Sequence, residues 1–316
     1  MKNKNIIITG GLGFIGSHIV EELVETNNIT IIDDLSTGKM DNLKNPDHEN
    51  ITLIKENLND VKLKDVIKDD VDYIFHLAAM ASVPLSVDNP IKCNDINVNS
   101  TIKLLDFAVK NNVKKIIFSS SAAIYGKNTN MPLKETEPLM PLSPYGASKA
   151  TCELYLKSFY ESYGLEYTAL RYFNVFGPKQ DENSQYAAVI PKFISSLVQN
   201  KQPIIYGDGE QTRDFIYVSN IVKANIQSCE IPYNGCLNVA SGKRISINEL
   251  YEIIRTELDS DLEPIYNPPR VDEIKHSLAD ISNLNKLNFK LNENFDEEIK
   301  TTIEWFKNEK ETIDSK

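Results

Sequence analysis

Tyr145 and Lys149 have the residue types and the spacing of a proton-transfer pair. A helix is predicted after Ser143-Pro144, and residues four apart on a helix share one face. The pKa of a phenol is usually near 10, and it must fall by roughly three units, or about 4 kcal/mol, for the phenol to act as a base near neutral pH. A cation about 4 Å away supplies on the order of 4 kcal/mol at an effective dielectric constant near 20. We therefore expect Tyr145 to be a base whose charged form the Lys149 ammonium stabilises.

Three serines, Ser119, Ser120 and Ser121, follow an apolar strand that is predicted to begin at Lys115. Ligands in parallel α/β sheets bind at the carboxyl ends of the strands. Ser121 is therefore placed to hydrogen-bond a substrate hydroxyl beside the tyrosine. Because a Tyr-x-x-x-Lys pair alone is often an ordinary helix pair, the catalytic interpretation also depends on a glycine-rich turn near the N-terminus.

That turn joins the first predicted strand, Ile6–Thr9, to a helix and contains Gly10, Gly13 and Gly16. Glycine lets the backbone approach a pyrophosphate closely, and the free amides at a helix start can donate to it. The second strand ends at Asp33, whose carboxylate can accept hydrogen bonds from an adenosine ribose and would repel a 2′-phosphate. The turn predicts a bound dinucleotide, with NAD favoured over NADP, whose nicotinium ring adds a second cation to the site.

The first half of the chain alternates short apolar runs with helix-period stretches. Candidate strands cover 5–9, 29–33, 51–55, 73–77, 115–119 and 167–171, and helical patterns cover 17–25 and 98–111. This alternation predicts an α/β fold, a Rossmann doubly wound parallel sheet. Frequent Pro and Gly after about Phe176 indicate a smaller C-terminal α/β lobe for the substrate. We expect an NAD-binding domain over 1–175, with returning segments near 216–240 and 277–285, and a discontinuous substrate lobe over 176–316.

Composition argues against several other classes of function. The net charge of −11 is unfavourable for a nucleic-acid surface, and no apolar run approaches the roughly 18 residues of a membrane span. The cysteines Cys93, Cys152, Cys229 and Cys236 form no Cys-x-x-Cys pair, and no Cys/His cluster has metal spacing. The first strand is predicted so close to Met1 that no room remains for a signal peptide. We therefore expect a cytoplasmic protein with free thiols and no metal.

Eight ordered strings, spread over nearly the full length, carry a resemblance to a known family. They are TGGLGFIGSH (9–18), HLAAMASVPLSV (76–87), NVNST (97–101), SSSAAIYG (119–126), PYGASK (144–149), RYFNVFGP (171–178), GDGEQTRDFIYV (207–218) and PPRVDEIKHSLADIS (268–282). The chain resembles the extended short-chain dehydrogenase/reductase family and, within it, the UDP-hexose 4-epimerases, which act on UDP-glucose or UDP-N-acetylglucosamine. The resemblance implies an isomerase with bound NAD. It also implies a homodimer through helices near 98–111 and 145–163, although the apolar residues Leu154, Phe159 and Tyr163 are equally consistent with core packing.

The resemblance further implies roles for individual residues. Around NAD it implies Gly10, Gly13, Phe14, Ile15, Gly16, Asp33, Asn57, Leu58, Leu77, Ala78, Ala79, Asn97, Ser119, Tyr145, Lys149 and Phe173. Around the UDP-sugar it implies Ser82, Ser121, Tyr145, Asn174, Val189, Ile190, Lys192, Arg213, Arg270, Glu273 and Ser277. Arg213, Arg270 and Glu273 are similar to a clamp on uridine diphosphate, where guanidinium groups suit bidentate phosphate contacts.

Two positions depart from the family pattern. The family usually has an aspartate in contact with adenine at the position of Asn57. An asparagine carbonyl can still accept from the adenine amino group, so we expect a weaker contact. The family usually has glycine at the position of Asp272, where a carboxylate pointing inward would repel a diphosphate. We expect the Asp272 side chain to point outward.

The resemblance implies a cycle in which Tyr145 takes the proton of the sugar 4-hydroxyl while hydride passes from C4 to NAD. The 4-keto sugar then turns over within the site, and hydride returns to its other face. In the family, a bulky residue at the position of Ser277 crowds the C2 substituent of the sugar. Since serine is small and SVPLS (82–86) resembles epimerases of N-acetylated sugars, we expect both plain UDP-hexoses and their N-acetyl forms as substrates.

Three other functions share some of these motifs. Nucleotide-sugar 4,6-dehydratases need an Asp-Glu pair after the serine strand, where this chain has Ala122-Ala123. A UDP-glucuronate 4-epimerase or decarboxylase would need a further cation beside the C6 carboxylate of its substrate, and the sequence leaves open whether one is present. A non-enzymatic dinucleotide sensor would typically lose the Tyr145 and Lys149 pair, which this chain keeps.

Overall fold

The computed structural model describes residues 1–67, 70–181, 188–269, 274–292 and 294–314. The strands are β1 (Asn5–Thr9), β2 (Asn28–Ile32), β3 (Ile51–Ile54), β4 (Tyr73–His76), β5 (Lys115–Ser121), β6 (Glu166–Tyr172), β7 (Asn174–Phe176), β8 (Ile204–Tyr206), β9 (Thr212–Arg213), β10 (Phe215–Tyr217), β11 (Gly235–Val239), β12 (Ile245–Ser246) and β13 (Ile265–Asn267). The α-helices are α1 (Phe14–Leu23), α2 (Leu63–Val66), α3 (Val83–Asp88), α4 (Pro90–Asn94), α5 (Ser100–Lys110), α6 (Pro144–Tyr163), α7 (Val189–Val198), α8 (Val218–Glu230), α9 (Ile247–Glu257), α10 (Ser282–Lys286) and α11 (Phe295–Asp314).

The main sheet contains seven parallel strands in the order β3-β2-β1-β4-β5-β6-β11. The register pairs Thr9 of β1 with His76 of β4, and His76 with Phe118 of β5, so that these strands end at one edge. The strand order reverses between β1 and β4, which is where the ligand crevice of a doubly wound sheet lies. The predicted Rossmann fold class is confirmed.

Apolar clusters cover both faces of the sheet because alternate residues of each strand point to opposite sides. On one face, Ile8 and Ile31 pack in the cluster that includes buried residues of α1 and α8. On the other, Ile7 and Ile32 pack with buried residues of α5 and α6. A third cluster joins α7, α9 and α11 outside the main sheet. The C-terminal half thus has a core of its own, while α8 and β11 belong to the main sheet layers.

Two helix boundaries differ from the sequence prediction. Helix α1 begins at Phe14, three residues before the predicted start, because Gly13 in the turn is itself the N-cap. The pattern over 98–111 is a π-helical turn at Asp95–Asn99 followed by α5. All four cysteines are free thiols. Within the described ranges, no helix is long and apolar enough to cross a bilayer, and no His/Cys/Asp/Glu group could hold a metal ion.

A buried hydrogen-bonded chain through His76 fixes the edge of the sheet near the glycine turn. The amide of Ala78 donates to Thr9 Oγ1 (3.2 Å), so the Thr9 hydroxyl can donate to His76 Nδ1 (2.7 Å). On the other side, His76 Nε2 lies 2.9 Å from Thr101 Oγ1, which donates to the carbonyl oxygen of Asn97 (2.5 Å). These directions assign the Nε2–H tautomer to a neutral ring. Burial, with a smaller contribution from the nearby Lys149 ammonium, lowers the pKa of His76 to about 3.

His76→Gln tests this neutral state through the pH dependence of stability. Between pH 6.5 and about 3 the unfolded chain binds a proton at His76 that the folded chain excludes, so stability falls on acidification. At pH 5 this contribution is about 2 kcal/mol. Urea unfolding at pH 7 and pH 5 should show a smaller loss for His76→Gln than for the wild type. Equal losses in the two proteins would contradict the assignment.

Candidate active site

The glycine turn between β1 and α1 forms a cradle that has no room for side chains. Gly10 has a φ of +71°, and a Cβ there would lie 2.8 Å from the amide nitrogen of Ala78. A Cβ at Gly16 would overlap the carbonyl oxygen of Gly10. The N-cap, Gly13, makes no side-chain hydrogen bond to the first turn of α1, where Phe14 and Ile15 lie. Close backbone approach and an open helix start both suit the pyrophosphate of a dinucleotide.

The carboxylate predicted to bind the adenosine ribose is held by the turn itself. Asp33 accepts hydrogen bonds from the amides of Leu12 and Leu35, each at 2.9 Å, while burial raises the pKa of its carboxyl. Asn57 donates to Asp34 Oδ2 (2.8 Å) and accepts from the amide of Asn59 (3.0 Å). One lone pair of the Asn57 carbonyl is therefore already used within the chain, which supports the expectation of a weaker adenine contact.

Two of the predicted cofactor residues have mainly internal roles in this structure. Leu58 is 5 % exposed and lies in the apolar cluster that also contains Ile7. Asn97 accepts from the amide of Met80 (2.7 Å) and donates to Ser148 Oγ (2.8 Å) on α6. Asn97 therefore joins the segment that contains Leu77, Ala78 and Ala79 to the helix of Tyr145.

The predicted catalytic residues come together at the end of β5. The Ser121 side chain lies beside the Tyr145 phenol and acts to lower its pKa. Lys149 Nζ donates to the carbonyl oxygen of Ser119 at 2.7 Å and lies 6.0 Å from the centre of the Tyr145 ring. Phe173, predicted to flank the nicotinamide, is buried beside the Tyr125 ring.

In the protein alone, burial opposes the charged forms of both Tyr145 and Lys149. Burial raises the pKa of Tyr145, although the Ser121 side chain acts in the opposite direction. Burial also lowers the pKa of Lys149 to about 8. Lys149 Nζ donates to Ser119 and lies 6.0 Å from the centre of the Tyr145 ring, so the expectation that its ammonium stabilises the charged phenol stays a prediction. The fall in the tyrosine pKa needs further positive charge, which the oxidised nicotinamide of bound NAD can supply.

The serines of the SVPLS string have different roles. Ser82 caps α3 by accepting from the amide of Leu85 (3.2 Å). Ser86, which the sequence analysis did not select, accepts from the amide of Tyr145 (3.1 Å) and donates to the carbonyl oxygen of Val83 (2.6 Å). Ser86 thereby fixes the first turn of α6 against α3. The sequence signal that could have identified Ser86 is its place in the SVPLS string, four residues after Ser82.

A cavity of about 380 Å³ gathers five of the eleven predicted substrate residues. It is lined by Asn174, Val189, Ile190, Lys192 and Arg213. The sequence analysis missed the further lining residues Tyr206, Gln211 and Phe215, although the quoted string 207–218 contains the last two. Ser277 lies next to this wall, since its amide donates to the carbonyl oxygen of Thr212 (3.1 Å). Arg270, Asp272 and Glu273, predicted near the diphosphate, lie outside the described residues.

Asp214 connects the parts of this wall and was also missed. Its buried carboxylate accepts from Ser241 Oγ (2.7 Å) and from the amides of Ser241 (2.9 Å), Gly242 (3.2 Å) and Ala279 (3.1 Å). Its carbonyl oxygen accepts from the amide and the side chain of Asn174. Asp214 thus holds Asn174 and the segment just after Ser277 next to Arg213.

Gly16→Ala tests the cradle. Because the new methyl group would overlap the Gly10 carbonyl, α1 must move away from the turn, and the purified protein should lose most of its bound NAD. The measurement is the cofactor released on denaturation, per mole of protein. Gly164→Ala is the control, since Gly164 has a φ of +74° but no atom within 4 Å of an added Cβ. The control should lose about 1 kcal/mol of stability and keep its NAD. Full retention of NAD by Gly16→Ala would contradict the assignment.

Comparisons with known proteins agree with this geometry. Residues 6–240 match the model of the NAD dependent epimerase/dehydratase family. The solved structure of UDP-N-acetylglucosamine 4-epimerase from Methanobrevibacter ruminantium M1, in complex with UDP-N-acetylmuramic acid, is 60% identical, with a TM-score of 0.96 over 98% of this chain and 100% of that one. The UDP-glucose 4-epimerase structure from Thermotoga maritima, with UDP-glucose, is 37% identical, with a TM-score of 0.92 over 96% and 99%.

The curated UDP-glucose 4-epimerase of Mycolicibacterium smegmatis is 32% identical over 96% of this chain and 98% of its own length. The similarity thus extends over both the sheet and the C-terminal half. The family predicted from the eight strings is confirmed: this chain belongs to the NAD dependent epimerase/dehydratase family, and its cofactor is NAD.

Proposed function

We propose that this protein is an isomerase that inverts C4 of a UDP-hexose, with NAD bound at the glycine turn. The observation that carries the proposal is the contact of the Tyr145 hydroxyl with Ser121 at the strand end where Lys149 is anchored. Asn174, the residue after Phe173 and the first of β7, lines the cavity together with Arg213. The substrate class is supported by the names of the relatives, which are UDP-glucose and UDP-N-acetylglucosamine 4-epimerases.

In the proposed reaction, the residues of this chain move one proton and hold the sugar. Tyr145, as phenolate, takes the proton of the 4-hydroxyl, and Ser121 hydrogen-bonds that oxygen. Bound NAD would supply the hydride acceptor at C4 and the donor for the return. The 4-keto sugar presents its opposite face for that return, and Tyr145 gives the proton back to the new hydroxyl. Binding energy from the nucleotide diphosphate, held through Arg213, leaves the sugar free to turn.

The wall beside Ser277 supports acceptance of an N-acetyl group at C2. Serine is small, and its amide is fixed to Thr212, so the side chain adds little bulk there. The dehydratase alternative lacks support, because Ala122 and Ala123 directly follow Ser121 and carry no carboxylate. The sensor alternative does not explain why Tyr145, Ser121 and Lys149 are brought together.

A homodimer is part of the proposal. On α6, Leu154 is 64% exposed and Tyr163 is 63% exposed, so the alternative of core packing is wrong for both. Phe159, between them, is half-buried and packs on the core cluster. Helices α3 and α4 pack against α6 and expose Val87 and Ile91. A second copy would cover this apolar face.

The division into an NAD-binding domain over 1–175, with its returning segments, and a substrate lobe also remains a proposal, as does a cytoplasmic location.

Tyr145→Phe removes the proton acceptor and keeps the ring. We expect kcat to fall by roughly 10²- to 10⁴-fold, while UDP-sugar binding, measured by calorimetry, stays within a few-fold of the wild type. Tyr163→Phe, on the same helix but exposed, is the matched control and should keep its kcat. Near-normal turnover in Tyr145→Phe would refute the assignment of the base.

The Ser277 argument predicts the substrate range. Wild-type kcat/KM for UDP-N-acetylglucosamine should be at least comparable with that for UDP-glucose, and Ser277→Tyr should reduce the first much more than the second. A strong preference of the wild type for the plain sugars would show that the space beside Ser277 is not used.

A further inference from the structure

A buried ion pair lies beneath the proposed catalytic residues. Arg171 of β6 contacts Glu153 of α6 through two parallel hydrogen bonds, from Nε to Oε1 (3.0 Å) and from Nη2 to Oε2 (2.7 Å). The side chains of Arg171 and Glu153 are 5% and 4% exposed. Ser120 of β5 also donates to Glu153 Oε1, at 2.5 Å. One carboxylate therefore receives hydrogen bonds from two neighbouring strands and belongs to the helix that covers them.

The remaining polar atoms around the pair are also satisfied. Arg171 Nη1 donates to the Tyr125 hydroxyl and to the carbonyl oxygen of Glu135, each at 2.9 Å. The Tyr125 hydroxyl donates to Asn238 Oδ1 (2.6 Å), and Cys236 Sγ lies 3.3 Å from Glu153 Oε2. Buried ion pairs with this degree of satisfaction add little net stability over apolar residues, although removing one partner is costly. Stability alone therefore does not explain the pair.

Each member of the pair is next to a residue of the proposed site. Glu153 lies one helical turn after Lys149, and Ser120 directly precedes Ser121. Arg171 lies two residues before Phe173. A shift of α6 along β5 and β6 would break the contacts of Glu153 and would also move Tyr145 relative to Ser121. The ion pair therefore fixes the position of α6 relative to β5 and β6.

The charge of Glu153 also acts on Lys149. The titratable groups that face Lys149 are Tyr145, Cys152 and Glu153 from α6, Cys93 from α4 and His76 from β4. Burial lowers the pKa of His76 and raises those of both cysteine thiols, so these three groups are uncharged near neutral pH. The Glu153 carboxylate acts against the effect of burial on the pKa of Lys149 and helps to keep its proton.

We propose that Glu153 and Arg171 are positioning residues for the epimerisation, which fix α6 against β5 and β6 and keep Lys149 charged beside Tyr145. This inference rests on the proposed function, because its test needs turnover of a UDP-hexose. Arg171 and Glu153 touch neither the proposed substrate cavity nor the glycine turn in this structure, so they act through the residues that do.

The test replaces the pair by apolar residues of similar size, as Glu153→Leu with Arg171→Met, and measures kcat and KM between pH 6 and 10. We expect a folded protein that retains NAD, a KM within about threefold of the wild type and a kcat lower by ten- to a hundredfold. The alkaline limb of the kcat profile, where Lys149 loses its proton, should move to lower pH. If the double variant is insoluble, Glu153→Gln, which keeps the size and one acceptor, should give the same shift.

Lys115→Met is the matched control. Lys115 is buried at the opposite end of β5, where its ammonium donates to the carbonyl oxygens of Ile231 and Tyr233, each at 2.9 Å. This variant loses a buried charge and should lose stability, yet keep the wild-type kcat and pH profile. The inference is overturned if the Glu153 and Arg171 variants keep both kinetic properties, or if Lys115→Met changes them equally. An inactive wild-type protein would instead refute the proposed function.

Discussion

The hydrogen bond from the Lys149 ammonium to the carbonyl oxygen of Ser119, 2.7 Å long, joins the helix of the proposed base to the strand of the proposed serine. Strand β5 pairs on one side with β4 and on the other with β6. Fixing α6 to β5 therefore also fixes Tyr145 relative to the glycine turn after β1. The same bond holds the ammonium at the end of the strand, and burial of both the ammonium and the phenol opposes their charged forms. The positive charge that stabilises a Tyr145 phenolate must therefore come in part from bound NAD.

The wall of the proposed substrate cavity depends on a buried carboxylate, that of Asp214. Asp214 is between Arg213 and Phe215, which both line the cavity of about 380 Å³. Its hydrogen bonds reach Ser241 and Ala279, so that the main sheet and the C-terminal half meet around one group. Burial raises the pKa of Asp214 to about 6. The proposed catalytic residues and the wall of the proposed substrate cavity are therefore each organised by a buried ionisable side chain, Lys149 in one and Asp214 in the other.

The sequence predicted the features that depend on local patterns. Val/Ile-rich runs and the glycine turn were sufficient for the parallel sheet, and the spacing of Tyr145 and Lys149 for a shared helix face. Features that depend on tertiary contacts could not be predicted. Nothing in the pattern around Lys149 indicates that its ammonium turns to Ser119, or that Asn57 is tied to Asp34. Tyr206 and Asp214 were missed because their roles arise only when β8, β9 and β10 fold around a cavity.

The central claim, that NAD resides at the glycine turn and returns to C4 the hydride that it removed, is tested most directly by epimerisation in D₂O. The purified protein, with no added NAD, is incubated with UDP-N-acetylglucosamine and with UDP-glucose, and the products are analysed by NMR and mass spectrometry. The account predicts that the C4 epimer forms with no deuterium at C4, because that hydrogen never exchanges with solvent. Deuterium at C4, or no epimer unless NAD is supplied continuously, would contradict it.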